Sequence, residues 1–146
     1  MGMFDSIMIS ASGLTAQQFR LDVVSNNIAN VNTTRTPEGG AYRRQQVVFG
    51  ARDTSAFLEE LKGKIGGYQG EGVKVVEVVK DQSPLKTIYD PAHPDANATG
   101  YVELPNVSVV KEMVDMISAS RAYEANVSVL NTAKGMIGRA LTIGKA

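Results

Sequence analysis

Residues 21–33 read Leu21-Asp22-Val23-Val24-Ser25-Asn26-Asn27-Ile28-Ala29-Asn30-Val31-Asn32-Thr33, and two signals meet in them. The first is apolar spacing. Leu21 and Ile28 close a line that begins at Ile7 and Leu14 and repeats every seven residues. Such residues share one stripe of an α-helix, with Val24 beside it. The companion line, Phe4, Ala11, Gln18 and Ser25, is mostly small or polar. No Pro interrupts Met3 to Asn30, and Gly13 is the only glycine there. The spacing therefore predicts one helix of about 27 residues, about 40 Å long at the usual rise. The second signal is Asn26, Asn27, Asn30 and Asn32. Asparagine is a poor helix former and tolerates the left-handed conformation that ends helices. One or two would suffice to end this helix. The surplus predicts amides paired inside a packed interface, since each amide both donates and accepts.

Charge supports that reading. Residues 1–40 carry five charged side chains: Asp5, Arg20, Asp22, Arg35 and Glu38. A helix bathed in water normally shows more Lys and Glu on its outer face. Ser10, Ser12, Thr15, Gln17, Asn26 and Asn27 instead suit close packing with interhelical hydrogen bonds.

The other end of the chain supplies a partner. A second helix is expected from Val107 to Ile143, with Asn106 or Ser108 as its N-cap after Pro105. Val110, Met113, Val114 and Ile117 share one face, and Met116, Tyr123, Val127, Leu130, Ile137 and Leu141 continue in steps of three, four and seven. At about 54 Å it exceeds the usual globular helix and suggests a coiled coil. Between the helices lie all five prolines and nine of the 14 glycines. Tyr42–Phe49, Val73–Val79 and Leu85–Tyr89 read as strands, and Phe57, Leu58 and Leu61 as one short helix. The expected fold is α+β. Residues 1–33 and 106–146 pair as a coiled-coil-like helical domain, and residues 34–105 form a small β-rich domain with long loops inserted between them. With few large apolar side chains, that inserted core would be marginal.

The remaining features exclude rather than assign. The 146 residues hold 15 basic and 15 acidic side chains, against a nucleic-acid binder that neutralises phosphates. With no Cys and a single His, there is no thiol chemistry and no site needing two imidazoles. No apolar run reaches a membrane span, and the first 30 residues lack the pattern of a cleavable signal peptide. Asp90-Pro91-Ala92-His93-Pro94-Asp95 reads as a loop ordered by its prolines in preference to a metal site. Gly70-Glu71-Gly72 precedes a strand, the wrong order for a dinucleotide fingerprint, and no Gly-x-Ser-x-Gly elbow occurs. No catalytic residue, metal or cofactor is expected. Arg43 and Arg44 read as a solvated strand edge, with a salt bridge between subunits left open.

Leu21–Thr33, preceded by Ser10-Ala11-Ser12-Gly13-Leu14-Thr15-Ala16-Gln17, resembles the amino-terminal signature of the bacterial flagellar rod and hook proteins. Tyr89–Asn97, followed by Gly100-Tyr101-Val102 and Leu104–Val107, is similar to the short proximal rod members of that family. So are Tyr42-Arg43-Arg44 and Lys111–Ile117, the latter followed by Ser120-Arg121-Ala122-Tyr123-Glu124-Ala125-Asn126. The resemblance implies an axial protein whose terminal helices pair in an inner domain while a small β domain faces outwards. Copies would pack into a helical tube that crosses the periplasm within the basal body and transmits torque from motor to hook. It also implies passage through the flagellar type III export apparatus, and partners limited to further copies, other rod proteins and that apparatus. No nucleic acid, membrane insertion or small-molecule ligand is implied. The expected helix–helix and subunit interface comprises Ile7, Leu14, Leu21, Val24, Asn26, Asn27, Ile28 and Asn30 on the first helix. On the second it comprises Met113, Met116, Ile117, Tyr123, Asn126, Val127, Leu130, Ile137 and Leu141. The terminal helices are expected to order only on assembly. A helical adaptor or chaperone of a type III export system would share the long helices, but would form a small stable oligomer.

Overall fold

The computed structural model describes residues 3–52 and 70–144. Helix α1 spans Met3–Ala29, as the spacing predicts. The asparagines that follow close it. The Asn30 amide N–H donates to the Asn26 carbonyl at 3.1 Å, and the Asn30 side chain donates to the same carbonyl at 2.9 Å. Helix α2 spans Val109–Ile143. Its N-cap is Ser108, whose carbonyl accepts the Glu112 N–H at 3.0 Å. Asn106, the other candidate, is engaged elsewhere: its side chain accepts the Arg44 N–H at 2.8 Å and donates to the Asp81 carbonyl at 3.1 Å. The short helix expected around Phe57, Leu58 and Leu61 lies outside the described residues.

Four strands lie between the helices. Strand β1 spans Gln45–Ala51 and β2 spans Val73–Lys80, and the two form one sheet. They run antiparallel, since Arg52 N–H donates to the Gly72 carbonyl and Asp81 N–H to the Arg44 carbonyl. Strand β1 starts three residues later than the apolar run suggested. Tyr42 is held instead by the preceding loop, donating its N–H to the Thr33 carbonyl at 3.0 Å. Strand β3, Lys86–Tyr89, pairs antiparallel with β4, Tyr101–Leu104, with Lys86 opposite Leu104 and Tyr89 opposite Tyr101. The sequence reading did not foresee β4, whose four residues are too short for alternation to register. The Tyr89 and Tyr101 rings meet edge-on at 5.3 Å.

The packing of the described residues falls into two compact units, residues 3–18, 49–52, 70–76 and 120–144, and residues 19–48 and 77–119. In the first, Ser10, Ser12, Ala16 and Ala133 are buried. Gly13 lets the helices approach: a Cβ there would stand 2.9 Å from the Asn126 side-chain oxygen. Gly72 has φ of 92°, and a Cβ would overlap the Ser12 hydroxyl, which accepts the Val73 N–H at 3.1 Å. In the second unit the core combines Val23, Val24 and Asn27 with Tyr42, Arg44, Val102, Val107, Glu112 and Ala119.

The helices pair through small and polar residues. Along α2, Glu112, Ala119, Asn126 and Ala133 recur every seven positions; all are buried except Asn126, which is half-buried. Along α1, Gly13, Ala16, Arg20, Val23 and Asn27 recur in alternating steps of three and four. Such seven-residue recurrence keeps one seam facing the partner helix, and small side chains let the backbones close up.

Candidate functional site

The most constrained chemistry lies in the second unit, where Asn27, Tyr42, Arg44, Gln45, Glu112 and Asp115 form one hydrogen-bonded cluster. Asn27 and Glu112 are both wholly buried. The Asn27 amide spends its full capacity. Its nitrogen donates to the Gln45 carbonyl at 2.8 Å and to Glu112 Oε2 at 2.9 Å. Its oxygen accepts the Gln45 N–H and the Tyr42 hydroxyl, each at 2.9 Å. By exchanging both bonds with Gln45, the side chain of an α1 residue does for the start of β1 what a neighbouring strand would do.

Arg44 completes the cluster. Its Nε donates to Glu112 Oε1 at 2.5 Å and its Nη2 to Asp115 Oδ2 at 3.1 Å. The other Asp115 oxygen accepts from Arg20 at 3.1 Å. The guanidinium of Arg44 is only 8% exposed and the Glu112 carboxylate 0%. Two charges so removed from water persist only when paired and hydrogen-bonded. This corrects the reading of Arg44 as a solvated edge. Arg43 turns the other way and donates to the Asp81 and Ser83 carbonyls. Burial, and secondly the Glu112 charge, pushes the Tyr42 phenol above its ordinary value. The hydroxyl therefore stays protonated and able to donate to Asn27.

The Asp90–Asn97 segment is a chain of turns closed at its ends on Gly100 and Tyr101 and fastened to Thr34 and Arg35 through Asp95. Asp95 accepts from the Thr34 hydroxyl at 2.8 Å and from Arg35 at 2.5 Å. These contacts, the Thr34 bond foremost, hold its carboxyl below the usual range. His93 Nδ1 accepts the Asp95 N–H at 3.1 Å, and Asp90 Oδ1 accepts the Ala92 N–H at 3.2 Å. Pro91 and Pro94 are exposed. Among the described residues, no three His, Cys, Asp or Glu side chains converge as metal ligands.

The interface residues expected from sequence fall into three groups. Val24 and Asn27 are buried. Ile7, Leu14, Leu21, Ile28, Asn30, Met116, Tyr123, Asn126, Val127, Leu130 and Ile137 are half-buried. Asn26, Met113, Ile117 and Leu141 are exposed. In the second unit Val110, Met113, Val114 and Ile117 form one uncovered apolar face on α2, 74%, 53%, 61% and 53% exposed. Arg20, Tyr42, Glu112 and Asp115 escaped the sequence reading as site residues, and Arg44 entered it only as a strand edge with a salt bridge between subunits left open. The available signal was the seven-residue recurrence of Glu112 with Ala119, Asn126 and Ala133.

With this geometry in hand, comparison with known proteins identifies relatives. Residues 7–35 match the family described as flagella basal body rod protein, and residues 98–143 match the C-terminal family described as flagellar basal body rod FlgEFG protein. The flagellar basal-body rod protein FlgC of Borreliella burgdorferi is 54% identical over 98% of each chain. FlgC of Bacillus subtilis is 47% identical over 97% of this chain and 98% of its own. FlgC of Escherichia coli O157:H7 is 44% identical over 99% of this chain and all of its own.

Two outcomes follow from the cluster and the loop. Arg44→Ala leaves the buried Glu112 carboxylate without its cation and is expected to cost about 3–5 kcal/mol, whereas Glu112→Ala leaves Arg44 paired with Asp115 and costs less. Replacing both, Arg44→Met with Glu112→Gln, keeps an acceptor for the Asn27 amide and is expected to recover part of the Arg44→Ala loss in urea denaturation. Asp95 has a lowered carboxyl pKa when folded, so its stabilising effect is present above the unfolded value near 3.8 and lost as pH falls through the folded one. Asp95→Asn is therefore expected to flatten the acid limb of the stability curve below about pH 4 and to lower stability at neutral pH. A denaturation series across pH reads both.

Proposed function

We infer how this chain works from what it is: it belongs to the flagellar basal-body rod protein family and is a structural subunit of the proximal rod. Copies pack side by side into a helical tube with the paired terminal helices, residues 1–33 and 106–146, on the inside. Residues 34–105 face outwards. The tube carries torque from motor to hook. The chain's partners are further copies and other rod components, and it reaches its place through the flagellar type III export apparatus. Its position is the rod where it crosses the periplasm. No helix among the described residues is long and apolar enough to cross a membrane.

The observation that supports this reading is the uncovered face of Val110, Met113, Val114 and Ile117. Four large apolar side chains at positions i, i+3, i+4 and i+7 form a contiguous patch of the kind that marks an interaction site. Burying each contributes on the order of 1.5–3 kcal/mol. Neighbouring copies supply that cover. In the polar cluster, in contrast, Asn27, Arg44 and Glu112 are turned on one another. The chain acts by holding shape, without catalysis. Disorder before assembly is narrowed accordingly: residues 19–48 and 77–119, which carry the cluster, hold together in the free chain, and residues 3–18 and 120–143 gain order among neighbours.

Electron microscopy of basal bodies tests the reading. Density for this chain is expected in the proximal rod, with α1 and α2 towards the axis. Cells whose only copy carries Leu21→Asp are expected to lack rods and motility, while the purified variant retains its strands by circular dichroism. Density outside the rod, or normal rods in Leu21→Asp cells, would contradict it.

A further inference from the structure

Methionines occupy three exposed positions among the described residues: Met8, Met113 and Met136, at 61%, 53% and 52%. Their settings differ. Along α1, Met8 is followed at three and four positions by Ala11 and Ser12, and along α2 Met136 is preceded at the same spacings by Ala133 and Thr132. Met113 has large exposed apolar neighbours within one turn on its own face, Val110 before it, Val114 beside it and Ile117 after it, whereas the exposed apolar residues on the stripe of Met136, Val129 and Ile143, lie two turns away. Met116, three residues away, is half-buried. Met113 is therefore accessible in the free chain, and it stands at the centre of the patch on which assembly depends.

We propose that Met113 is a modification site at which peroxide oxidation blocks incorporation of the chain. The inference rests on the reading above, that neighbouring copies cover this face. The chemistry balances without further reagents. The thioether sulfur takes one oxygen from the peroxide as the O–O bond breaks. Sulfur is oxidised by two electrons, and the other oxygen leaves as water with both protons. The product sulfoxide is polar where the thioether was apolar. Its oxygen needs a hydrogen-bond donor, and the surrounding Val110, Val114 and Ile117 side chains offer none. Covering the face would then strand a polar group away from water. Once the chain is in place, the same burial shields the sulfur. The modification is reversible, since reductases return the sulfoxide to the thioether.

The test uses the full chain in cells that carry no other copy. Met113→Gln places an uncharged polar group where the sulfoxide would sit, and Met113→Leu keeps the position apolar and beyond oxidation. Met113→Gln is expected to reduce the number of rods per cell by at least roughly tenfold, the penalty of about 1.4 kcal/mol per decade being readily exceeded by one stranded dipole. Met113→Leu is expected to leave rods unchanged. Hydrogen peroxide added to the purified chain should oxidise Met113 several-fold faster than Met116 by peptide mass mapping. In isolated basal bodies the same treatment should leave Met113 largely intact. Equal numbers of rods with Gln and with Leu, while both purified variants show the native helix content, would overturn the proposal. So would oxidation of Met113 in basal bodies as fast as in the free chain. Rods in cells lacking the chain altogether would instead overturn the reading on which the proposal rests.

Discussion

The second packed unit depends on one amide. Asn27 bonds the backbone of Gln45 on both sides and at the same time holds Glu112, which in turn neutralises Arg44. Three stretches of chain far apart in sequence thereby share one polar centre. A hydrophobic contact tolerates sliding, because it is non-directional. A buried amide with all its bonds made does not, because any shift strands a donor or an acceptor. The cluster thus fixes where β1 begins relative to α1 and α2 within that unit. A buried ion pair is weak evidence for stability in itself, and a specific register is its best-attested use.

This arrangement suits a structural subunit of the proximal rod. In the first unit Gly13 lets α1 approach the Asn126 side chain of α2 and Ala16 and Ala133 are buried, and in the second Ala119 is buried. The larger apolar side chains are thereby released to other surfaces, Val110, Met113, Val114 and Ile117 among them. Polar bonds fix the second unit, and an apolar face on α2 is left uncovered in it.

Much of the architecture was legible in the amino-acid sequence. The seven-residue line from Ile7 to Ile28, free of Pro, marked α1 to within a residue, and the asparagines marked its end. Pro105 and the long periodic run marked α2 to within two residues. The β-branched run at Val73 marked β2. The polar centre was not legible, for a physical reason. Composition ranks Arg and Glu as surface residues, and only pairing in space makes their burial tolerable. Arg44 and Glu112 lie 68 residues apart in the chain, so no local pattern connects them. The large apolar line on α1 was also the easier one to see. The closer contacts fall on Gly13, Arg20 and Asn27, whose small or polar side chains resemble a solvated flank. Strand β4 went unseen because its pairing with β3 is what defines it.

Native-state hydrogen exchange at the Gln45 amide tests the role of Asn27 most directly. That N–H is donated to a wholly buried side chain. If the amide of Asn27 holds the unit together, the Gln45 N–H exchanges only when residues 19–48 and 77–119 open as a whole, and Asn27→Ala makes it exchange freely. Exchange of the Gln45 amide in the unmodified chain at the rate of an unstructured peptide would contradict that account.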